Sequence, residues 1–153
     1  MGFSGTINKS GTPLSAKLSS MPRIDRVIPL LVYRDIAAAH DFLVRVFGFE
    51  SGIIERSPDG QVVHGEVQAG RTTIWLHRAS VAQGLDTGTS SDSGLVIHVD
   101  DVDAHFEHAR AAGVQVEKEP VDQPYGQREY GVRDLEGHRW WFATPLNVFK
   151  EPE

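Results

Sequence analysis

The sequence contains no cysteine. Disulfide frameworks, thiolate nucleophiles and cysteine-ligated zinc are therefore excluded. No stretch approaches the ~18 apolar residues of a membrane helix, so no membrane partner is expected. Basic residues are the minority: 15 Lys and Arg against 21 Asp and Glu give a formal charge of −6. With no run of Lys or Arg, a nucleic-acid partner is not expected either. A glycine-rich phosphate loop and a Gly-x-Ser-x-Gly nucleophile elbow are both missing. So is the apolar centre of a signal peptide, and a cytoplasmic location is the expectation.

What remains is an ordinary globular composition, 40% apolar and 24% charged, over 153 residues. That length suits one domain or two small halves sharing a core. Residues 1–22, rich in Ser, Gly and Thr, read as a disordered leader, native or appended, with Met21 as a candidate start. A first module is expected over 23–78, a linker rich in Ser, Gly, Thr and Asp over 79–93, a second module over 94–147 and a C-terminal tail over 148–153.

The two modules carry one pattern twice. Arg26 to Tyr33 is strand-like, with Pro29 marking an edge or an early strand position. Asp35 stands where a helix N-cap belongs, a helical stripe runs from Ile36 to Phe47, and Gly48 is a suitable stop. The strand from Gly94 to Asp100, the cap Asp101, the helix Val102 to Ala112 and the stop Gly113 repeat this about 66 residues later. Three strand-like runs follow each helix. In the first half these are Glu50–Glu55, Gln61–Gln68 and Arg71–His77. In the second they are Val114–Lys118, Gln127–Arg133 and His138–Thr144, with a turn from Pro120 to Gly126. The expected fold is α+β, two tandem βαβββ modules.

This repeat resembles the vicinal oxygen chelate superfamily, which includes glyoxalase I, bleomycin-resistance proteins, fosfomycin-resistance enzymes and extradiol dioxygenases. The resemblance covers residues 24 to 146. It rests on the strand-to-helix junctions Val32-Tyr33-Arg34-Asp35-Ile36 and Val99-Asp100-Asp101-Val102, and on the helix end Phe47-Gly48-Phe49. The final hairpin, Tyr125-Gly126-Gln127-Arg128-Glu129 with Asp134-Leu135-Glu136-Gly137-His138-Arg139-Trp140-Trp141, is its most specific part. It implies curved mixed sheets around a cavity, helices on the outer face, and frequent dimers whose cavity can combine residues of both chains. A homodimer is expected here.

The resemblance also implies up to four metal ligands, at the first and last strands of each half. Those positions hold Ile28, Trp75, Gly94 and Trp141, none of which offers an imidazole or carboxylate donor. No metal and no cofactor are expected, and chelate chemistry is put in doubt. Strand alternation then sends Thr73, His77, Arg139 and Ala143 to the same side as the two tryptophans. Ile28, Leu30 and Val32 join them, as do Val96 and His98, and the face of Val62, His64, Glu66 and Gln68. The expected site is an aromatic-walled pocket with Trp75 and Trp141 as walls and His64, Glu66, His98, Arg128 and Arg139 as polar anchors. Arg128 is assigned inward and its neighbour Glu129 outward.

Such a pocket suits a small, planar or aromatic organic ligand, bound and sequestered without chemistry, as in the bleomycin-resistance branch. The alternative is an enzyme of the same superfamily (lyase, isomerase or dioxygenase). It would use a displaced metal at His64, Glu66, His77 and His98, or a metal-free His64/Glu66 acid–base pair. A third possibility is a domain that serves mainly as a dimer or protein partner. His64 and Glu66 also fit an ordinary surface strand. His40, His105 and His108 are expected on solvated helix faces. Trp140 and Phe142 are expected to pack against helices.

Overall fold

The computed structural model describes residues 21–85 and 93–146. The leader up to residue 20, linker residues 86–92 and the tail over 148–153 lie outside the described residues.

The first half runs β1 (Leu30–Tyr33), α1 (Ile36–Phe47), β2 (Glu50–Arg56), β3 (Val62–Ala69) and β4 (Thr72–Arg78). The second runs β5 (Gly94–His98), α2 (Val102–Ala111), β6 (Gln115–Asp122), β7 (Gln127–Arg133) and β8 (Arg139–Pro145). Each half is a four-stranded mixed sheet, ordered β1-β4-β3-β2 and β5-β8-β7-β6. The first strand pairs parallel with the last, and the other neighbours are antiparallel. The tandem βαβββ architecture read from the sequence is the one observed.

Local chemistry sets the helix ends. The Asp35 carboxylate accepts the Ala38 N–H at 3.0 Å, and Gly48 closes α1 at φ 79°, a conformation that costs a residue without Cβ little. Asp101 caps α2 in the same way through Ala104. Most expected boundaries move by one or two residues, and two move further. β1 begins at Leu30 rather than Arg26, with the Pro29 carbonyl accepting from Trp75 N just before it. β6 continues through Pro120 to Asp122 rather than stopping at Lys118. It is an edge strand, and its register shifts on either side of Lys118, so the missing N–H of Pro120 breaks no ladder.

Both helices pack on the sheet faces opposite Trp75 and Trp141, and the two halves share one core. It joins Val67, Ile74 and Leu76 of the first sheet to Tyr130, Val132, Trp140 and Phe142 of the second. Phe47, at the end of α1, sits 4.8 Å from Phe142 and 5.6 Å from Trp140, ring centre to ring centre. The helix-bearing faces therefore turn toward each other within one chain. The faces carrying Trp75 and Trp141 turn away from that core.

Polar contacts stitch the seam. The buried Asp134 carboxylate accepts the Tyr33 hydroxyl at 2.5 Å and the Trp140 indole N–H at 3.1 Å through one oxygen. Its other oxygen accepts the N–H groups of Glu136 and His138. Burial, then the Asp134 charge, push the Tyr33 phenol well above its ordinary pKa, so it remains a donor. Glu136 accepts the backbone N–H groups of Arg34 and Asp35, and His138 donates to the Val32 carbonyl. The first strand-to-helix junction and the last hairpin thus touch directly.

His105 is a correction. It was expected on a solvated face, but α2 lies against the end of α1 and half-buries it. Its Nε2 donates to the Phe47 carbonyl at 2.9 Å, which leaves Nδ1 to accept the Tyr130 hydroxyl at 2.6 Å. Burial lowers its pKa. The unfolded chain therefore takes up the proton more readily. The stabilisation is complete above the ordinary imidazole pKa of about 6.5 and is lost as pH falls below it. Burial, with the nearby His64, acts on His77 in the same direction. The urea midpoint should fall between pH 7 and pH 5, and less steeply in His105→Phe. Equal slopes would contradict the assignment.

Candidate functional site

Strand pairing brings the expected site residues into two groups, one on each outward face. On the first sheet, β3 and β4 set His64 opposite His77, Glu66 opposite Trp75 and Gln68 opposite Thr73. The His64 Nε2 donates to Glu66 at 3.1 Å. The His64 ring meets Trp75 edge-on, with centres 5.4 Å apart. His77 lies nearly parallel to the Trp75 indole, at 10° and 5.8 Å. Glu50 and Glu55 share this face through their register partners Gln68 and His64. The first face is aromatic and acidic.

On the second sheet, Trp141 pairs with Val96 of β5 and with Gly131 of β7. It lines an open recess of about 460 Å³ with Val96, Lys118, Tyr125, Gln127 and Glu129. The Lys118 ammonium stands over the indole, 5.9 Å from its centre. A chain of polar contacts rims the recess. His98 donates to Gln127 Oε1 at 3.1 Å, Gln127 donates to Glu129 at 2.6 Å, and the Tyr125 hydroxyl donates to the other Glu129 oxygen. Beyond Trp141, Glu117 bridges Arg133 and Arg139. Its burial disfavours the charge, but the two guanidinium hydrogen bonds outweigh that and hold the carboxyl below its usual range.

Arg128 does not join the site. Residues directly opposite on β7 and β8 share a face, and Arg128 is opposite Thr144 whereas Glu129 is opposite Ala143. Glu129 therefore lies on the Trp141 side, only 6% exposed. Arg128 turns to the α2 side, where its guanidinium meets Asp103 and Asp122 at 3.1 Å each. Sequence reasoning assigned the pair the wrong way round, and it missed Lys118 and Gln127. Pairing β7 across its turn to Trp141 would have found Glu129. Trp140 and Phe142 are fully buried in the core, as the alternation requires.

The donor set does not fit the superfamily's metal. Ile28, Trp75, Gly94 and Trp141 carry no suitable ligand atoms. Among the described residues no three His, Asp or Glu side chains converge where they could hold an ion. The displaced set fails as well, because His98 belongs to the other sheet, where it bonds to Gln127.

The Glyoxalase/Bleomycin resistance protein/Dioxygenase superfamily model matches residues 23–142. The uncharacterized protein Mb0911c of Mycobacterium bovis is 34% identical over 125 residues, covering 77% of this chain and 82% of that protein. Among solved structures, TioX from Micromonospora sp. ML1 is 34% identical, with a TM-score of 0.65 over 80% of this chain and 99% of its own. TnmS3, an antibiotic binding protein from Streptomyces sp. CB03234, is 25% identical, with a TM-score of 0.65 over 82% of this chain and 99% of its own.

Proposed function

Because this chain belongs to the Glyoxalase/Bleomycin resistance protein/Dioxygenase superfamily, we propose that it is a small-molecule binding protein of that superfamily, holding a planar aromatic compound without metal and sequestering it. The observation that carries this reading is Trp141, half-buried on its strand with one side open to a recess of about 460 Å³. A ring stacked there gains area burial plus about 0.5–1.5 kcal/mol from ring geometry. The likeness to TnmS3, an antibiotic binding protein, supports the binding of a small molecule.

One chain offers two half-sites that face away from each other, so the full site takes two copies. The first face, with Glu50, Glu55 and Glu66, meets the second face of a partner copy, where Lys118, Arg133 and Arg139 stand. Glu117, which pairs with both arginines, and Glu129 also lie on the second face, so it keeps a small positive excess, which favours that pairing. The homodimer would enclose two slots, each walled by Trp75 of one copy and Trp141 of the other.

A second reading rests on one contact. The Nε2–H of His64 is held by Glu66, which leaves Nδ1 as a potential base. One experiment separates the two readings. Planar aromatic natural products are titrated against tryptophan fluorescence, and the bound compound is recovered and compared with the starting compound by chromatographic retention, mass and fragmentation. Saturable quenching with the compound recovered unchanged in all three is the expected result. A product of altered retention, mass or fragmentation, lost in His64→Ala, would establish the enzyme instead.

A further inference from the structure

We propose that Gly131 and Gly94 form a bed that lays the Trp141 indole flat on the sheet, making them the positioning residues that set the clearance of the ligand slot. The proposal rests on the reading of Trp141 as a stacking wall.

The geometry is specific. A Cβ built on Gly131 would lie 2.5 Å from Trp141 Cζ3, 2.9 Å from Cε3 and 3.0 Å from Cη2. A Cβ on Gly94 would lie 3.4 Å from Trp141 Nε1 and 3.0 Å from the Arg139 carbonyl. The benzo edge therefore rests on β7 and the pyrrole edge on β5, with the ring spanning both neighbours of its own strand. Neither glycine has a positive φ, so backbone conformation does not demand glycine at these positions. The indole itself excludes a side chain at Gly131, which is buried although it lies on the outward face.

Trp75 has no such bed, since its register partners are Glu66 and Leu30. The two tryptophans are thus unequal. Trp141 is a horizontal platform, and Trp75, backed by His77, is the opposing wall. Lys118 stands over the open side of the platform, where a ligand ring would displace it. A methyl group at 131 would lift the benzo edge and tilt the platform, costing a flat ligand its parallel contact.

The test uses Gly131→Ala, with Gly94→Ala as the milder second variant, and needs no known natural ligand. In a Trp75→Phe background the remaining tryptophans are Trp140, which is fully buried, and Trp141, which is half-buried. Acrylamide quenching of Trp141 should rise about twofold in Gly131→Ala with the thermal midpoint little changed, because quenching follows exposure and not fold. Unchanged quenching in both variants would overturn the bed. Affinity for the planar probe proflavine should fall about tenfold in Gly131→Ala, and this loss should vanish in a Trp141→Ala background. Raised quenching with unaltered proflavine affinity would leave the bed standing but refute its role in the slot, and with it the proposed stacking site. An equal loss of affinity with and without Trp141 would refute positioning through the indole.

Discussion

Trp141→Ala is expected to weaken binding of a planar aromatic ligand about 30-fold, roughly 2 kcal/mol. Two contributions are lost: the burial of the ligand face against the indole and the stacking geometry itself. Trp75→Ala should cost less, about tenfold, because the wall is shared with His77 and His64 at ring distances of 5.8 and 5.4 Å. The double variant should lose at least 100-fold. Calorimetry on the three variants, after confirming unchanged folding, provides the check. An unaltered dissociation constant in the double variant would remove the aromatic slot from the account.

The largest expected effect on stability lies far from that slot. Asp134→Ala should destabilise the fold by about 4 kcal/mol and lower the melting temperature by about 10–15 °C. The carboxylate is 5% exposed and receives four donors: the Tyr33 hydroxyl, the Trp140 indole and the N–H groups of Glu136 and His138. Removing it strands two buried side-chain donors at the centre of the shared core. The contrast is Asp41→Ala, whose pair with Arg45 is 3.5 Å long and exposed on both sides. Such pairs contribute about 0.5 kcal/mol or less. Denaturant titration of both variants tests the comparison; a loss below about 1 kcal/mol for Asp134→Ala would contradict it.

The sequence carried much of this architecture because its signals are local. Asp35 and Gly48 bracket α1 to the residue, and period-two alternation placed Trp75 and Trp141 opposite the buried Ile74, Leu76, Trp140 and Phe142. The failures were all relational. Alternation gives two faces but not their phase across a turn, so Arg128 and Glu129 were exchanged. Three residues of β6 were read as turn because Pro120 usually ends a central strand, while an edge strand tolerates it. His105 looks solvated on its own helix; only the approach of α1, about 60 residues earlier in the chain, covers it. The same holds for the arrangement of the halves. Each helical stripe shows that something is buried, yet nothing local says that the two helix-bearing faces bury each other. That packing is what leaves Trp75 and Trp141 on separate outward faces.

The most direct measurement of the central claim mixes two crippled proteins. Trp75→Ala and Trp141→Ala are unfolded together, refolded, and titrated with the ligand. If each slot joins the first face of one copy to the second face of another, every mixed dimer holds one slot with both tryptophans and one with neither. Random mixing should then restore wild-type affinity in about a quarter of the sites, a fraction absent from either variant alone. A mixture that binds no better than its two components would show that the tryptophans do not meet across a dimer, and the shared slot would be wrong.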